Sequence, residues 1–186
     1  MAANLTNEIT STDTLPTYIG EARKMGITVD PPDVNRSDII FDVVDGKIVF
    51  GLKGIKGVGE SVCQNIVEER EKNGPYKSFL DFLKRVDLHI CSKRALEPLI
   101  KTGAFDHVGE AEGKNLNRPT IMANLEAAVE FVNKLNAEKE SGQGSLFGDD
   151  EDEAMTSITE YDFKIIDDLP RMEHLNMETE FIGCFV

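Results

Sequence analysis

The stretch that decides the fold is LKGIKGVGESVCQNI, residues 52–66. Two glycines, Gly57 and Gly59, flank one aliphatic residue, and apolar residues recur at helical spacing on both sides. Glycine permits backbone angles that are closed to other residues, and its missing side chain lets a ligand come close to the main chain. We therefore expect a short helix, a tight turn with Val58 filling the gap between the helices, and a second helix over 61–70 that buries Cys63.

This spacing matches the helix-hairpin-helix pattern, in which the turn and the positive end of the second helix face a phosphate. Such a contact positions a duplex without reading its bases. Lys53 and Lys56 add mobile positive charge beside the turn. A glycine turn without a ligand and a loop for a nucleotide phosphate remain alternatives. The predicted DNA-binding residues are Lys53, Lys56, Gly57, Val58, Gly59, Glu60 and Ser61.

The distribution of charged residues along the chain favours the predicted DNA contact, although the net charge does not. The net charge is −14, which alone argues against a nucleic-acid partner. However, residues 47–94 contain ten basic and six acidic residues, whereas residues 149–186 contain twelve acidic and two basic residues. A mildly basic centre is thus flanked by acidic ends.

The remaining patterns predict a mainly α fold with a small β-hairpin. A helix is expected over 14–25, with Tyr18, Ile19, Ala22 and Met25 on one face. Alternating apolar residues at Ile39, Phe41 and Val43 and at Ile48, Phe50 and Leu52 flank Asp45-Gly46, the signature of a two-strand hairpin.

Three more helices are expected further along the chain. The first is capped by Ser78 and runs through Val86, the second runs over 92–101, and the third runs over 119–140. Pro98 predicts a kink or an early end in the second of these. Residues 96–132 resemble a degenerate partner hairpin without the second glycine and the lysines, so a structural role is expected for them.

The composition changes after residue 140. Residues 141–153 read as a flexible acidic linker that contains QGSLF, residues 143–147. Its Leu146 and Phe147 are costly to expose unless a pocket receives them, although folding back onto their own domain is an alternative. The final residues, 181–186, look like a strand.

Other site chemistry is weakly supported. Cys63, Cys91 and Cys184 form no CxxC pair, and His89, Cys91 and His107 fit no common metal spacing. We expect neither a metal site nor a catalytic residue, and no secretory signal or membrane span, which favours the cytoplasm. The rival functions are an adaptor that binds only proteins and a helix-hairpin-helix DNA-repair enzyme.

Several segments together carry a family resemblance: EARKMGI at 21–27, PPDVN at 31–35, and the residues 51–59, 96–106 and 143–147. Through them the chain resembles the alpha subunits of bacterial DNA polymerase III, the C-family replicative polymerases. The resemblance implies the end of a fingers region over 1–35, a duplex-binding helix-hairpin-helix domain over 36–140, the linker over 141–153, and an acidic lead-in to an absent OB-fold domain over 154–186.

The resemblance also implies partners. Gln143, Ser145, Leu146 and Phe147 would bind the beta sliding clamp, and the remaining domains of the polymerase would be further partners. Polymerase chemistry with Mg²⁺ would belong to the aspartates of an absent palm domain, so no cofactor is expected in this fragment.

Overall fold

The computed structural model describes residues 15–140 and 160–183. Within them the fold is mainly helical with one small sheet, as predicted. In chain order the elements are α1 (Leu15–Lys24), β1 (Val29–Asp30), β2 (Asp42–Val44), β3 (Lys47–Val49), a 3-10 helix (Leu52–Gly54), α2 (Glu60–Asn73), α3 (Phe79–Arg85), α4 (Lys93–Lys101), α5 (Arg118–Glu140) and α6 (Arg171–Ile182).

The sheet contains the predicted hairpin and one strand that the sequence did not reveal. β2 and β3 are antiparallel and are joined by Asp45 and Gly46, both with positive φ, as a tight hairpin turn requires. The additional strand, β1, pairs with β3 in parallel, so the order is β1-β3-β2. The sheet therefore brings the chain to Gly51, directly before the 3-10 helix.

Local signals set the ends of the helices. Ser78 caps the start of α3 by accepting a hydrogen bond from the Asp81 N–H, and the Asp81 carboxylate accepts one from the N–H of Lys77, the residue before the cap. Gly74 ends α2 with a φ of 82° and donates to the Arg70 carbonyl. Pro98 does not end α4 early, because the helix continues to Lys101.

The core lies between the helices and is rich in aromatic rings. Phe82 packs edge-on against Tyr76 and Phe105, with ring centroids 4.8 Å apart in both pairs. The stripe predicted on α5 is buried at Ile121, Ala128 and Val132. Two apolar residues of the predicted patterns lie outside the core: Met25, which follows α1, and Val43, the middle residue of β2, are both exposed.

The C-terminal segment, residues 160–183, packs back onto this core. Asn124 of α5 donates to the Lys164 carbonyl at 2.9 Å and accepts from the Lys164 N–H at 3.0 Å, so its amide mimics a neighbouring strand. Thr120 makes the corresponding pair of bonds with Ile166. This segment then enters α6.

The predicted strand over 181–186 is wrong where it can be compared with the structure. Phe181 and Ile182 form the last residues of α6, and Gly183 closes the helix with a φ of 90°. The apolar residues here serve a helix end, because Ile182 is buried in the common core.

Among the described residues, no helix combines the length and the apolar character needed to cross a membrane.

Candidate nucleic-acid interface

The turn between the 3-10 helix and α2 has the predicted shape. Val58 is 6% exposed and belongs to the core, whereas Gly57 and Gly59 on either side are exposed. The Val58 N–H donates to the Ile55 carbonyl at 3.1 Å, which closes the turn. Cys63 is fully buried, as expected for close approach of the helices.

The two glycines differ in backbone conformation. Gly57 has a φ of +90°, which other residues rarely adopt. Gly59 has a φ of −78° and a ψ of 159°, so our expectation that it needs a glycine-specific conformation is wrong. A Cβ built at Gly59 would meet no atom within 4 Å. Nothing inside the described structure therefore requires a glycine at position 59.

The main-chain N–H groups of the turn are open. Within the described ranges, no hydrogen-bond acceptor is found for the N–H groups of Gly57, Gly59, Glu60 and Ser61. The last two belong to the first turn of α2, where the helix dipole places partial positive charge. Four such donors thus lie within residues 57–61, which are all exposed except Val58, a composition that suits an anion.

Each lysine beside the turn has a partner. The Lys53 ammonium lies 2.7 Å from the Glu60 carboxylate, so in this state it is paired rather than mobile. The Lys56 ammonium lies 3.4 Å from the Glu180 carbonyl. The Lys56 N–H donates to the Phe181 carbonyl at 2.9 Å, which places the end of α6 against the first residue of the turn.

The second hairpin-like segment differs from the first at its turn. Its turn contains Gly103, and a Cβ built there would lie 2.2 Å from Nη2 of Arg118. That guanidinium is buried between Asp106 and Glu178, at 2.7 and 2.9 Å. Burial alone would lower the Arg118 pKa, but the hydrogen bonds to these carboxylates raise it, so the group stays charged. An internal cation therefore lies against this turn, and the structural role expected for the segment stays a prediction.

The weaker metal alternative gains no support. His107 pairs with Glu110 at 3.2 Å, and Cys91 is buried next to the Asn65 side chain. Burial, with a further contribution from Asp87, raises the pKa of Cys91 to about 12. In residues 15–140 and 160–183 no group of three or more metal-ligating side chains is found.

Some predicted residues lie outside the described ranges. The clamp peptide residues Gln143, Ser145, Leu146 and Phe147 fall in the stretch 141–159, so their role stays a prediction. The binding role of residues 53–61 and the domain boundaries also stay predictions.

Sequence reasoning missed three residues that position the turn. Gly51 allows the chain to pass the Ile40 main chain, because a Cβ there would lie 2.4 Å from the Ile40 carbonyl carbon. The Pro98 ring packs against Gly57, and the Phe181 carbonyl accepts a hydrogen bond from the Lys56 N–H. For Gly51, a glycine just before the 3-10 helix was a weak sequence signal of a close main-chain contact. Pro98 and Phe181 lie far from the turn in sequence, so no local pattern indicated their contacts with it.

Comparisons with known proteins agree with the motif. A family model described as a helix-hairpin-helix motif matches residues 26–115. DNA polymerase III subunit alpha of Treponema pallidum is 41% identical over 186 residues, covering 100% of this chain and 15% of the relative. The protein of the same name from Borreliella burgdorferi is 43% identical over 188 residues, covering 100% and 16%. That from Deinococcus radiodurans is 39% identical over 193 residues, covering 100% and 13%.

The chain thus spans 13% to 16% of the length of these relatives. The matched region covers this chain from end to end and therefore contains the turn described above. Along its whole length, the chain corresponds to one segment of the bacterial DNA polymerase III alpha subunit family, the segment with the helix-hairpin-helix motif.

Proposed function

We propose that this chain binds the backbone of duplex DNA through the turn at 57–61, without sequence preference, and binds the sliding clamp through residues 143–147. Together these contacts would keep a replicative polymerase on its template. The chain would contribute binding rather than chemistry, and the longer parent protein would be a DNA-directed DNA polymerase.

The observation that carries the DNA proposal is the set of open N–H groups at Gly57, Gly59, Glu60 and Ser61. A phosphate can accept hydrogen bonds from several of these donors at once, and the start of α2 adds the favourable end of the helix dipole. The exposed Gly59, which has no internal reason to lack a side chain, fits a ligand that approaches the main chain closely.

The lysines add charge once the duplex is present. The pair between Lys53 and Glu60 is at the surface, with 31% and 57% of the side chains exposed, so its strength is about 1 kcal/mol or less. A phosphate that binds nearby can recruit Lys53 from this pair at little cost. Lys56, which directly precedes Gly57, is the second cation close enough to contact a phosphate bound at the turn.

The DNA proposal is tested by titrating a short duplex into the isotope-labelled chain and following the amide resonances by NMR. We expect the largest shifts at residues 57–61 and binding that weakens steeply with salt. The variant Lys53→Glu with Lys56→Glu should lose most of the affinity. Unchanged binding by this variant would favour the adaptor function instead, and incision of a damaged duplex by this chain would favour a repair enzyme.

The clamp proposal rests on the sequence QGSLF, in which two large apolar residues stand in an acidic, polar stretch. Leu146 and Phe147 would enter an apolar pocket of the clamp, and Gln143 would form a hydrogen bond at its edge. Replacing Leu146→Ala and Phe147→Ala together should abolish binding to immobilised clamp and leave duplex binding unchanged. Clamp binding retained by this double variant would contradict the assignment.

A further inference from the structure

Helix α4 lies directly under the phosphate-binding turn. A Cβ built on Gly57 would be 3.2 Å from Cγ of Pro98, so the main chain of the turn rests on the proline ring. Pro98 is buried, so α4 packs against the turn at this residue. The exposed residues of α4 near Pro98 are therefore candidates for contact with a DNA strand held on the turn.

Arg94 is the basic residue on that surface. It precedes Pro98 by four residues, which places it about 6 Å along α4 and about 40° around the helix. Arg94 is exposed, and within the described ranges its guanidinium has no hydrogen bond or ion pair. It is therefore a cation with all its donors available, one helical turn from the residue under Gly57.

Three other basic residues, one beside the turn and two on α4, have ion-pair partners. Lys53 pairs with Glu60, and on α4 itself Lys101 pairs with Glu97 at 2.7 Å. Lys93 pairs with Glu126 of α5 at 2.5 Å. Lys93 also lies about 140° around the helix from Pro98, on a side that does not face the turn.

We propose that Arg94 binds a second phosphate of the DNA strand whose first phosphate sits on the turn. This inference rests on the proposed function and extends its footprint to α4. One strand of B-DNA carries a phosphate about every 3.4 Å of helix axis, so further phosphates lie close to the first and a long side chain beside the turn can contact one of them. The planar guanidinium can donate two parallel hydrogen bonds to its oxygens.

The test compares Arg94→Ala with the matched control Lys93→Ala, which removes the same charge from the same helix. Binding of the whole chain to a short fluorescent duplex of mixed sequence is measured between about 50 mM and about 200 mM salt. Arg94→Ala should weaken binding about tenfold at the lowest salt and reduce the salt slope by about 1. Lys93→Ala should change affinity less than about twofold, because Lys93 faces away and is already paired. Arg94→Lys should retain most of the slope.

The outcomes separate this inference from the proposed function. If Arg94→Ala and Lys93→Ala weaken binding equally, the effect is one of general charge, and the contact at Arg94 is wrong. If Gly59→Ala abolishes binding whereas Arg94→Ala has no effect, the turn alone holds the duplex and the second contact is absent. If the unsubstituted chain binds no duplex, the proposed function fails and this inference fails with it.

Discussion

The two glycines of the turn make different demands on a substitution. Gly57→Ala should lower the free energy of unfolding by about 1–2 kcal/mol, because residue 57 has a φ of +90° and the added Cβ would press on Pro98. Gly59→Ala should change stability by less than about 1 kcal/mol, because the loss of a good capping residue opposes the lower entropy of the unfolded chain.

For duplex affinity we expect the opposite order, with the larger effect from the substitution at Gly59. Gly59→Ala places a methyl group among the open N–H groups, and we expect its affinity for a duplex to fall at least about tenfold while the fold is kept. Chemical denaturation and fluorescence anisotropy on the same samples measure both quantities. Wild-type affinity in a folded Gly59→Ala chain would exclude close approach of a phosphate at this position.

The ion pair between Glu60 and Lys53 leads to a second prediction for single residues. Glu60→Gln removes a negative charge from the edge of the proposed phosphate site and releases Lys53, so duplex affinity should rise about threefold. The control is Glu68→Gln, an equal change of charge two turns further along the exposed side of α2. An equal gain from both variants would show that only the net charge matters.

At the scale of elements, α6 is attached to the rest of the protein through a buried charge. Glu178 is 10% exposed as a side chain and bonds Arg118, which also bonds Asp106. Glu178→Gln should lower the free energy of unfolding by about 1–2 kcal/mol, because a charged hydrogen bond in a buried site is weakened. Glu180→Gln, on the exposed side of the same helix, should change it by less than about 0.5 kcal/mol. Equal melting temperatures for the two variants would contradict this role of Glu178.

The elements also show what sequence reasoning can reach. The hairpin at Asp45-Gly46, the cap at Ser78 and the apolar stripe of α5 depend on neighbours within a few residues, and all three are confirmed. β1 was missed because two residues are too few for an alternating pattern, and its partner β3 lies far along the chain. The end of α6 was mistaken for a strand because a short apolar run is ambiguous between the two structures.

The same distinction applies to the candidate site. The turn could be predicted because its glycines and Val58 are adjacent in sequence. The support from Pro98, the pairing of Lys53 and the contact from Phe181 could not, since each depends on how distant elements meet. For Gly59 the predicted reason was wrong, because its backbone angles are open to other residues; its role in binding stays a prediction.

Across the whole molecule, the buried cysteines report on folding. Burial raises the pKa of both Cys63 and Cys91 to about 12, so at pH 8 neither thiol forms much of the reactive thiolate. In the native chain we expect both to resist a thiol reagent and to react together when the chain unfolds. Mass mapping of the labelled residues at increasing denaturant measures this. Fast labelling of Cys63 under native conditions would show that the gap behind the turn opens locally.

The hydrogen bond from the Lys56 N–H to the Phe181 carbonyl joins the residue directly before Gly57 to the C-terminal end of α6. That amide proton exchanges with solvent only when the end of α6 is displaced from Lys56. Its exchange rate therefore measures how often this local opening occurs. Coupling between two sites is reciprocal, so if the docked helix end favours duplex binding, a bound duplex makes displacement of the helix end rarer by the same factor. The exchange rate of the Lys56 amide proton alone would then report whether a duplex is bound at the neighbouring turn.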